Sequence, residues 1–401
     1  MNNLDLQLKE LYKRILKEEQ YKNNRTGIPT KSIFGHQIRH KMSEGFPLTT
    51  LRKLHIPSLV HELLWFLSSY DEVYDKFGNT NIRYLLENKV TFWTEWCYEN
   101  YKRERLKKYD GKDLTNRKEK PFKCLSVKEF EKKIVEDDNF ALSWGDLGPI
   151  YGHQWIDNGG CYEYIEKKRE YNNTRANTVI VDKLGLEKVY LRGINQVDGV
   201  IEELIDNPDS RRMLVSAWNV NDLDDMLLQP CHYSWQLYTK VIPLDERFEY
   251  IESHFSREDV KEYLNKNGVE ELNEIKRDIR KTEKIFTHFS IPERKISLMF
   301  NQRSVDLYLG WGYNMASYGL LLEMLGQVVN MIPDELIFNG GDVHLYDNSI
   351  DATNELLKRE IRELPTLGMN PDIQNIYGFR FEDFEFKNYN PHPNIHVDVA
   401  V

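Results

Sequence analysis

The stretch that most restricts the fold is Met315–Val329, which is apolar on nearly every side at helical spacing. A helix that is apolar all round has no face to offer water, so it has to lie inside a core. Before it, Ile296-Ser-Leu-Met-Phe-Asn-Gln-Arg alternates up to Arg303 and predicts a strand. Trp311-Gly-Tyr-Asn predicts a turn between the two. After the helix, Asn339-Gly-Gly-Asp-Val-His-Leu-Tyr ends in a polar cluster at His344 and Tyr346. Of 401 residues, 40% are hydrophobic and 12% aromatic, which is enough for one large domain or two to three ordinary ones.

The chemistry centres on Asp209-Ser-Arg-Arg-Met-Leu-Val-Ser-Ala-Trp-Asn-Val and Leu228-Gln-Pro-Cys-His-Tyr-Ser-Trp-Gln. Arg211 and Arg212 offer a fork of donors suited to a phosphate, although a paired arginine by itself is most often a surface feature. Cys231 is a candidate nucleophile that would have to act as a thiolate, although a lone cysteine is most often a small buried hydrophobe. The net charge of −10 argues against general binding to nucleic acid or an acidic membrane, so an anionic ligand needs local arginines. Cys97, Cys124, Cys161 and Cys231 have neither CxxC nor zinc spacing, so free thiols in a reducing cytoplasm are expected, with no metal. Met1–Gln20 reads as a charged helix rather than a leader, and no run of 18 apolar residues predicts a membrane span.

In chain order, Leu4, Leu8, Leu11 and Ile15 mark a first helix within residues 3–22. A polar loop then carries Arg25, and Ser32 to His40 alternates like a strand. His55 to Leu67 predicts an apolar helix starting at Pro57 with Glu62 inside it. His61-Glu62 begins like a zinc-protease motif, but Trp65 stands where the second histidine belongs, which excludes that site. Burying Glu62 among leucines needs a reason, either a structural hydrogen bond or a general acid/base with a raised pKa. Phe92, Trp93 and Trp96 form an aromatic group, and Tyr151 lies in a glycine-rich turn. Val197 to Ile205 predicts a helix, and Trp235 to Ile242 a strand. Three polar lobes interrupt the pattern: a helical one at 97–143, a loop-rich one at 158–192, and an exposed helical appendage at 244–293 with little apolar content. The apolar end at Val401 reads as a packed strand or a segment closing over a ligand.

These motifs, in this order, resemble the thymidylate synthase superfamily across nearly the whole chain outside the three lobes. The matching stretches are Arg25-Thr-Gly, Gly45-Phe-Pro-Leu-Thr-Thr, His61-Glu-Leu-Leu-Trp-Phe-Leu and Gly148-Pro-Ile-Tyr-Gly-His-Gln-Trp. They continue with Ser210-Arg-Arg, Pro230-Cys-His, Gln302-Arg-Ser-Val-Asp, Asn314-Met-Ala-Ser-Tyr, Gly341-Asp-Val-His-Leu-Tyr and Ala400-Val401. The resemblance implies an α/β (α+β) fold with a large mixed sheet, in a homodimer. It implies one-carbon transfer from 5,10-methylenetetrahydrofolate to C5 of a pyrimidine deoxynucleotide, after Cys231 adds to C6. Arg25, Arg303 and Ser304 match phosphate ligands in one subunit, and Arg211 and Arg212 match those lent by the other. Asn314 matches the amide reading the uracil edge, which implies dUMP; Gln302, His344 and Tyr346 match further substrate contacts. Glu62 and Tyr151 match the proton-transfer groups. Asp306, Leu309, Gly310, Tyr313, Phe92, Trp93, Trp96, Ala400 and Val401 match the folate site.

Two branches share a methylene intermediate on C5. A synthase finishes with hydride from the folate, and a hydroxymethylase with water. Five positions depart from the synthase pattern: Gly312 for a proline, Tyr313 for a phenylalanine, Asn301 for a tyrosine, Gln229 for a small apolar residue and Leu51 for a lysine. Read together as added polarity and looseness near the cavity, they favour a phage-type dUMP hydroxymethylase. Thymidylate synthase is the alternative, and a non-catalytic nucleotide- or RNA-binding regulator a remote one, disfavoured by intact Cys231, Glu62 and Asn314.

Overall fold

Five strands form the central sheet of the computed structural model: β1 (Thr30–Lys41), β2 (Leu214–Ser216), β3 (His232–Val241), β4 (Arg294–Asp306) and β5 (Ile332–Tyr346). The residues described are 2–68, 77–110, 124–165, 176–181, 187–191, 193–269 and 271–399. In space the strands run β1-β5-β4-β3-β2, antiparallel except for the parallel β5/β4 pair. That pair is joined by the buried helix at Trp311–Val328, because a parallel pair needs a long crossover.

Strand periodicity divides the sheet into two faces. Val215, Trp235, Phe300, Phe338 and Ile38 align across all five strands on one face, each fully buried. The next row, Leu237, Leu298, Leu336 and His40, is buried as well. Against this face pack α2 (Ile56–Leu67) and α5 (Trp311–Val328), while α1 (Asn3–Leu16), α3 (Tyr151–Ile156) and α4 (Gln196–Asp206) complete the helical layer. The other face has no covering element among the described residues. Its rows read Ser216, Ser234, Asn301, Asn339, Gln37 and Leu214, Gln236, Met299, Ile337, Arg39.

Local chemistry explains the helix starts. Asn2 caps α1 by accepting from the Asp5 N–H at 3.0 Å. Asp5 is itself buried and bonds Thr49 and Thr50, which pins α1 to the loop before α2. Pro57 occupies the first turn of α2, where a missing N–H costs nothing.

Several expectations change. Trp311-Gly-Tyr-Asn is not a turn but the first turn of α5; the reversal comes earlier, where the Asp306 carboxylate accepts from the Tyr308 and Leu309 N–H groups. Tyr151 opens a short helix after the turn at Gly148, whose φ of +81° and approach to the Asp225 carbonyl exclude a side chain. Residues 158–192 hold a three-stranded antiparallel sheet, Cys161–Ile165, Glu187–Leu191 and Ala176–Val181, rather than loops alone. The 97–143 stretch adds Tyr101, Phe130, Ile134 and Phe140 to the main core. The 244–293 appendage has a core of its own, with Phe248, Ile251, Leu264, Ile275, Ile285 and Phe286 converging from its helices. Its apolar residues are sparse but periodic, so one stripe suffices. The C-terminal segment is no strand up to residue 399: Pro391 and Pro393 lack the N–H a ladder requires, and single bonds tether it, such as the Tyr308 hydroxyl to the Ile395 carbonyl at 2.9 Å. Ala400 and Val401 lie outside the described residues. No described helix is long and apolar enough to cross a membrane.

Candidate active site

Cys231 sits just before β3, where the strand pairing with β4 is irregular. His232 faces Gln302 and Ser234 faces Asn301, so Tyr233 is the extra residue of a bulge. A bulge re-aims side chains, and here it lets His232 and Trp235 both face the core. Arg303 lies opposite Cys231: its N–H donates to the Cys231 carbonyl at 2.8 Å. Its guanidinium donates to the Pro230 and Gln229 carbonyls at 2.9 Å each, which leaves it 3.9 Å from the Cys231 Sγ.

Cys231 has to act as a thiolate, and the Arg303 charge lies close enough to favour one. Burial wins instead: it pushes the thiol pKa up, and Arg303 and Arg25 only pull part of it back. The resting residue is a thiol whose proton has to leave before attack. A neutral phenol takes up no proton, so the recipient has to be a carboxylate, and Tyr151 and Glu62 belong to one electrostatic cluster with Cys231. Tyr151 accepts the Cys231 N–H at 2.6 Å and is fully buried. Glu62 accepts the Trp93 indole N–H at 2.7 Å, and burial raises its carboxyl to about 7. A carboxyl poised near neutrality can both give and take a proton. Glu62 also bears electrostatically on Tyr151 and Tyr318, so the three form one cluster.

Polar groups converge on the same space from other elements. Asn314, in the first turn of α5, is half-buried and its side-chain amide has no partner among the described residues. Gln302 is 1% exposed, yet both its amide nitrogen and its oxygen lack partners. A buried orphaned amide costs about 1–3 kcal/mol, so this pair of atoms points to a missing polar ligand. Tyr346 lies 5.2 Å from His344, edge to face, and feels both Arg25 and Cys231. Asp306 is in register with His344; burial raises its carboxyl, against the N–H groups it accepts. Arg52, unremarked in the sequence, holds the Tyr308 and Leu309 carbonyls at 2.5 and 3.0 Å. Gly310 follows, donating to the Asp306 carbonyl at 3.0 Å.

Arg25 is exposed and lies over the Trp96 ring at 5.0 Å, while Phe92 is 48% exposed beside buried Trp93. Ser304 is half-buried on β4. The structure does not bring Arg211 and Arg212 to Cys231 in their own chain. They are exposed before edge strand β2, their guanidinium groups bond nothing among the described residues, and Cys231 feels only Arg303 and Arg25.

The five departures do not share one setting. Asn301 faces the open side of the sheet, bonded to Ser234 and Asn339 at 3.1 and 3.0 Å, with Phe300 and Gln302 turned the other way. The Tyr313 hydroxyl accepts the His55 N–H at 3.1 Å ahead of α2, so it serves the scaffold. The Gln229 side chain is exposed, and Leu51 is fully buried. Gly312 is packed: a Cβ there would meet Leu54 at 3.2 Å.

Sequence reasoning missed His232 and Tyr318 as site residues. His232 stacks under Tyr151 at 4.1 Å, and its Nδ1 lies 2.8 Å from the Tyr318 hydroxyl. The available signal was spacing, since Tyr318 follows Asn314 by four residues and shares its helix face.

Comparison with known proteins agrees with this geometry. The family model described as Thymidylate synthase matches residues 6–253 and 274–401. The thymidylate synthase of Malacoplasma penetrans (strain HF-2) is 34% identical over 393 residues, 98% of this chain and 99% of that protein. The thymidylate synthase of Aster yellows witches'-broom phytoplasma (strain AYWB) is 33% identical over 392 residues, 98% of each. The chain therefore belongs to the thymidylate synthase family and is a one-carbon transferase.

Proposed function

We propose that the protein is a thymidylate synthase, converting dUMP to dTMP with 5,10-methylenetetrahydrofolate as the donor. The hydroxymethylase reading that the sequence favours gives way on one observation above all. Asn301, one of its five departures, lies on the open face of the sheet, bonded to Ser234 and Asn339 and turned away from the face that carries Gln302. Tyr313 spends its hydroxyl on a backbone N–H, and both full-length relatives are named thymidylate synthase.

In this reading Cys231 adds to C6 of the uracil, which makes C5 the nucleophile. The bound folate supplies the one-carbon unit and then the hydride. The chain's residues do the rest. Arg25, Arg303 and Ser304 hold the phosphate. Asn314 and Gln302 read the base with amides that have no partner among the described residues, both Gln302 amide atoms being buried. His344 and Tyr346 meet the deoxyribose, and Glu62 and Tyr151 move protons. Asp306, Leu309, Gly310, Tyr313 and the Phe92, Trp93 and Trp96 wall take the folate, with Ala400 and Val401 closing over it. Asp306 fits such a contact, because its Oδ1 is taken by backbone N–H groups and its other oxygen is left for a ligand.

A homodimer completes the site. The uncovered sheet face carries Leu214 and Tyr238, 47% and 59% exposed, and a second copy stacked there would bring its Arg211 and Arg212 to the phosphate. The test is turnover of dUMP with the folate by wild type and Cys231→Ser. Wild-type turnover, and its loss by at least about 10⁴-fold in the variant, is expected. An inactive wild type or an active Cys231→Ser would overturn the reading.

A further inference from the structure

Beside Cys231 lie two rings, His232 and Tyr318, for which the proposed chemistry has no use. His232 lies against Tyr151, ring centroids 4.1 Å apart at 20°. Its Nδ1 is 2.8 Å from the Tyr318 hydroxyl, and Tyr318 stacks in turn on Phe300 at 4.2 Å and 13°. Both rings are buried, and burial pushes the imidazole pKa down to about 3. A neutral imidazole carries one proton, so one ring nitrogen donates and the other accepts.

The Tyr318 hydroxyl has no other hydrogen-bond partner among the described residues. Were Nδ1–H to donate to it, the tyrosine's own proton would be buried without an acceptor, a costly arrangement. The reverse leaves nothing orphaned in the core. The Tyr318 O–H donates to Nδ1, and the ring proton sits on Nε2, which has no protein partner among the described residues and is not sealed from solvent.

We propose that Tyr318 is a positioning residue whose hydroxyl locks His232 in the neutral Nε2–H form. The imidazole next to the nucleophile then offers a donor, never an acceptor, to a pyrimidine carbonyl oxygen or to a water bound there. The same bond ties the helix carrying Asn314 to the strand that follows Cys231, four residues from the one and one from the other. The kinetic part of this inference rests on the dUMP reading; the tautomer does not.

The test begins with ¹⁵N spectra of the histidine-labelled full chain without ligand, the His232 signals being those lost in His232→Gln. Wild type is expected to show a single Nε2–H tautomer that does not titrate between about pH 5 and 8. Tyr318→Phe keeps the stacking surface but is expected to give mixed tautomers. Its kcat should fall about tenfold while KM for dUMP stays within about twofold. Added to His232→Gln, Tyr318→Phe should cost nothing further, because it acts only through that ring. An Nδ1–H tautomer in wild type, full kcat in Tyr318→Phe, or losses that multiply in the double variant would each overturn the proposal. The wild-type spectrum decides the tautomer even if Tyr318→Phe fails to fold. It also does so if the wild type proves inert toward dUMP, an outcome that sinks the synthase reading instead.

Discussion

On the open face of the central sheet, Ser234, Asn301, Asn339, Gln37, Arg39 and Glu335 form a continuous side-chain ladder, each link between 2.7 and 3.1 Å. On the core face, one residue along the same strand, Gln302 is buried with both amide atoms unpaired among the described residues, and on the helix above it the Asn314 amide has no partner among them either. The strands are shared and the residue types are alike, yet one set is satisfied within the chain and the other is not. Natural interiors pair their buried polar groups, so the unpaired set marks where a ligand supplies the partners. The satisfied set does structural work. That contrast, more than polarity itself, separates a site from a scaffold here, and it moves Asn301 out of the chemistry.

The largest effect in breaking this contrast belongs to Glu62→Gln. Loss of a general acid/base is expected to lower kcat by about 10²–10⁴-fold. Stability should move the other way. Burial raises the Glu62 carboxyl above its unfolded value of 4.5, so the stability contributed by its protonated form is fully present below about pH 4.5 and is lost as pH rises through about 7. Removing the charge should therefore stabilise the protein at pH 8 by up to about 3 kcal/mol, read by urea unfolding at pH 5 and pH 8. An equal effect at both pH values would mean that the carboxyl is not raised.

Gln302→Met comes next, replacing an orphaned amide by an apolar side chain of similar shape. The ligand-free protein should gain about 1–3 kcal/mol while KM for dUMP rises about tenfold or more. Destabilisation with unchanged KM would put Gln302 in the same class as the ladder. Asn301→Tyr, which restores the residue usual in the family, has the smallest expected effect. Stability should shift by about 1 kcal/mol through the broken ladder, and the product should not change. A changed ratio of products would return Asn301 to the active site.

Much of this was legible in the sequence because it is local. The all-round apolar helix, Pro57 at a helix start and the strand alternation at 296–303 depend on neighbours along the chain. Cys231 and Glu62 stood out by residue type in an unusual setting, and Asn314 only through the family resemblance. What escaped depends on neighbours across the sheet. The parity of Phe300, Asn301 and Gln302 was visible, but not which parity faces the nucleotide, since the bulge at Tyr233 resets β3 against β4. The net rise of the Cys231 thiol likewise reflects burial by distant elements outweighing the nearby Arg303. The appendage core joins helices whose individual stripes are too thin to read as a core.

The most direct measurement gives the enzyme dUMP and methylenetetrahydrofolate, weighs the nucleotide formed and counts the folate oxidised. One dTMP per dihydrofolate is the expected result. A product heavier by one oxygen, 5-hydroxymethyl-dUMP, with the folate left as tetrahydrofolate, would contradict it.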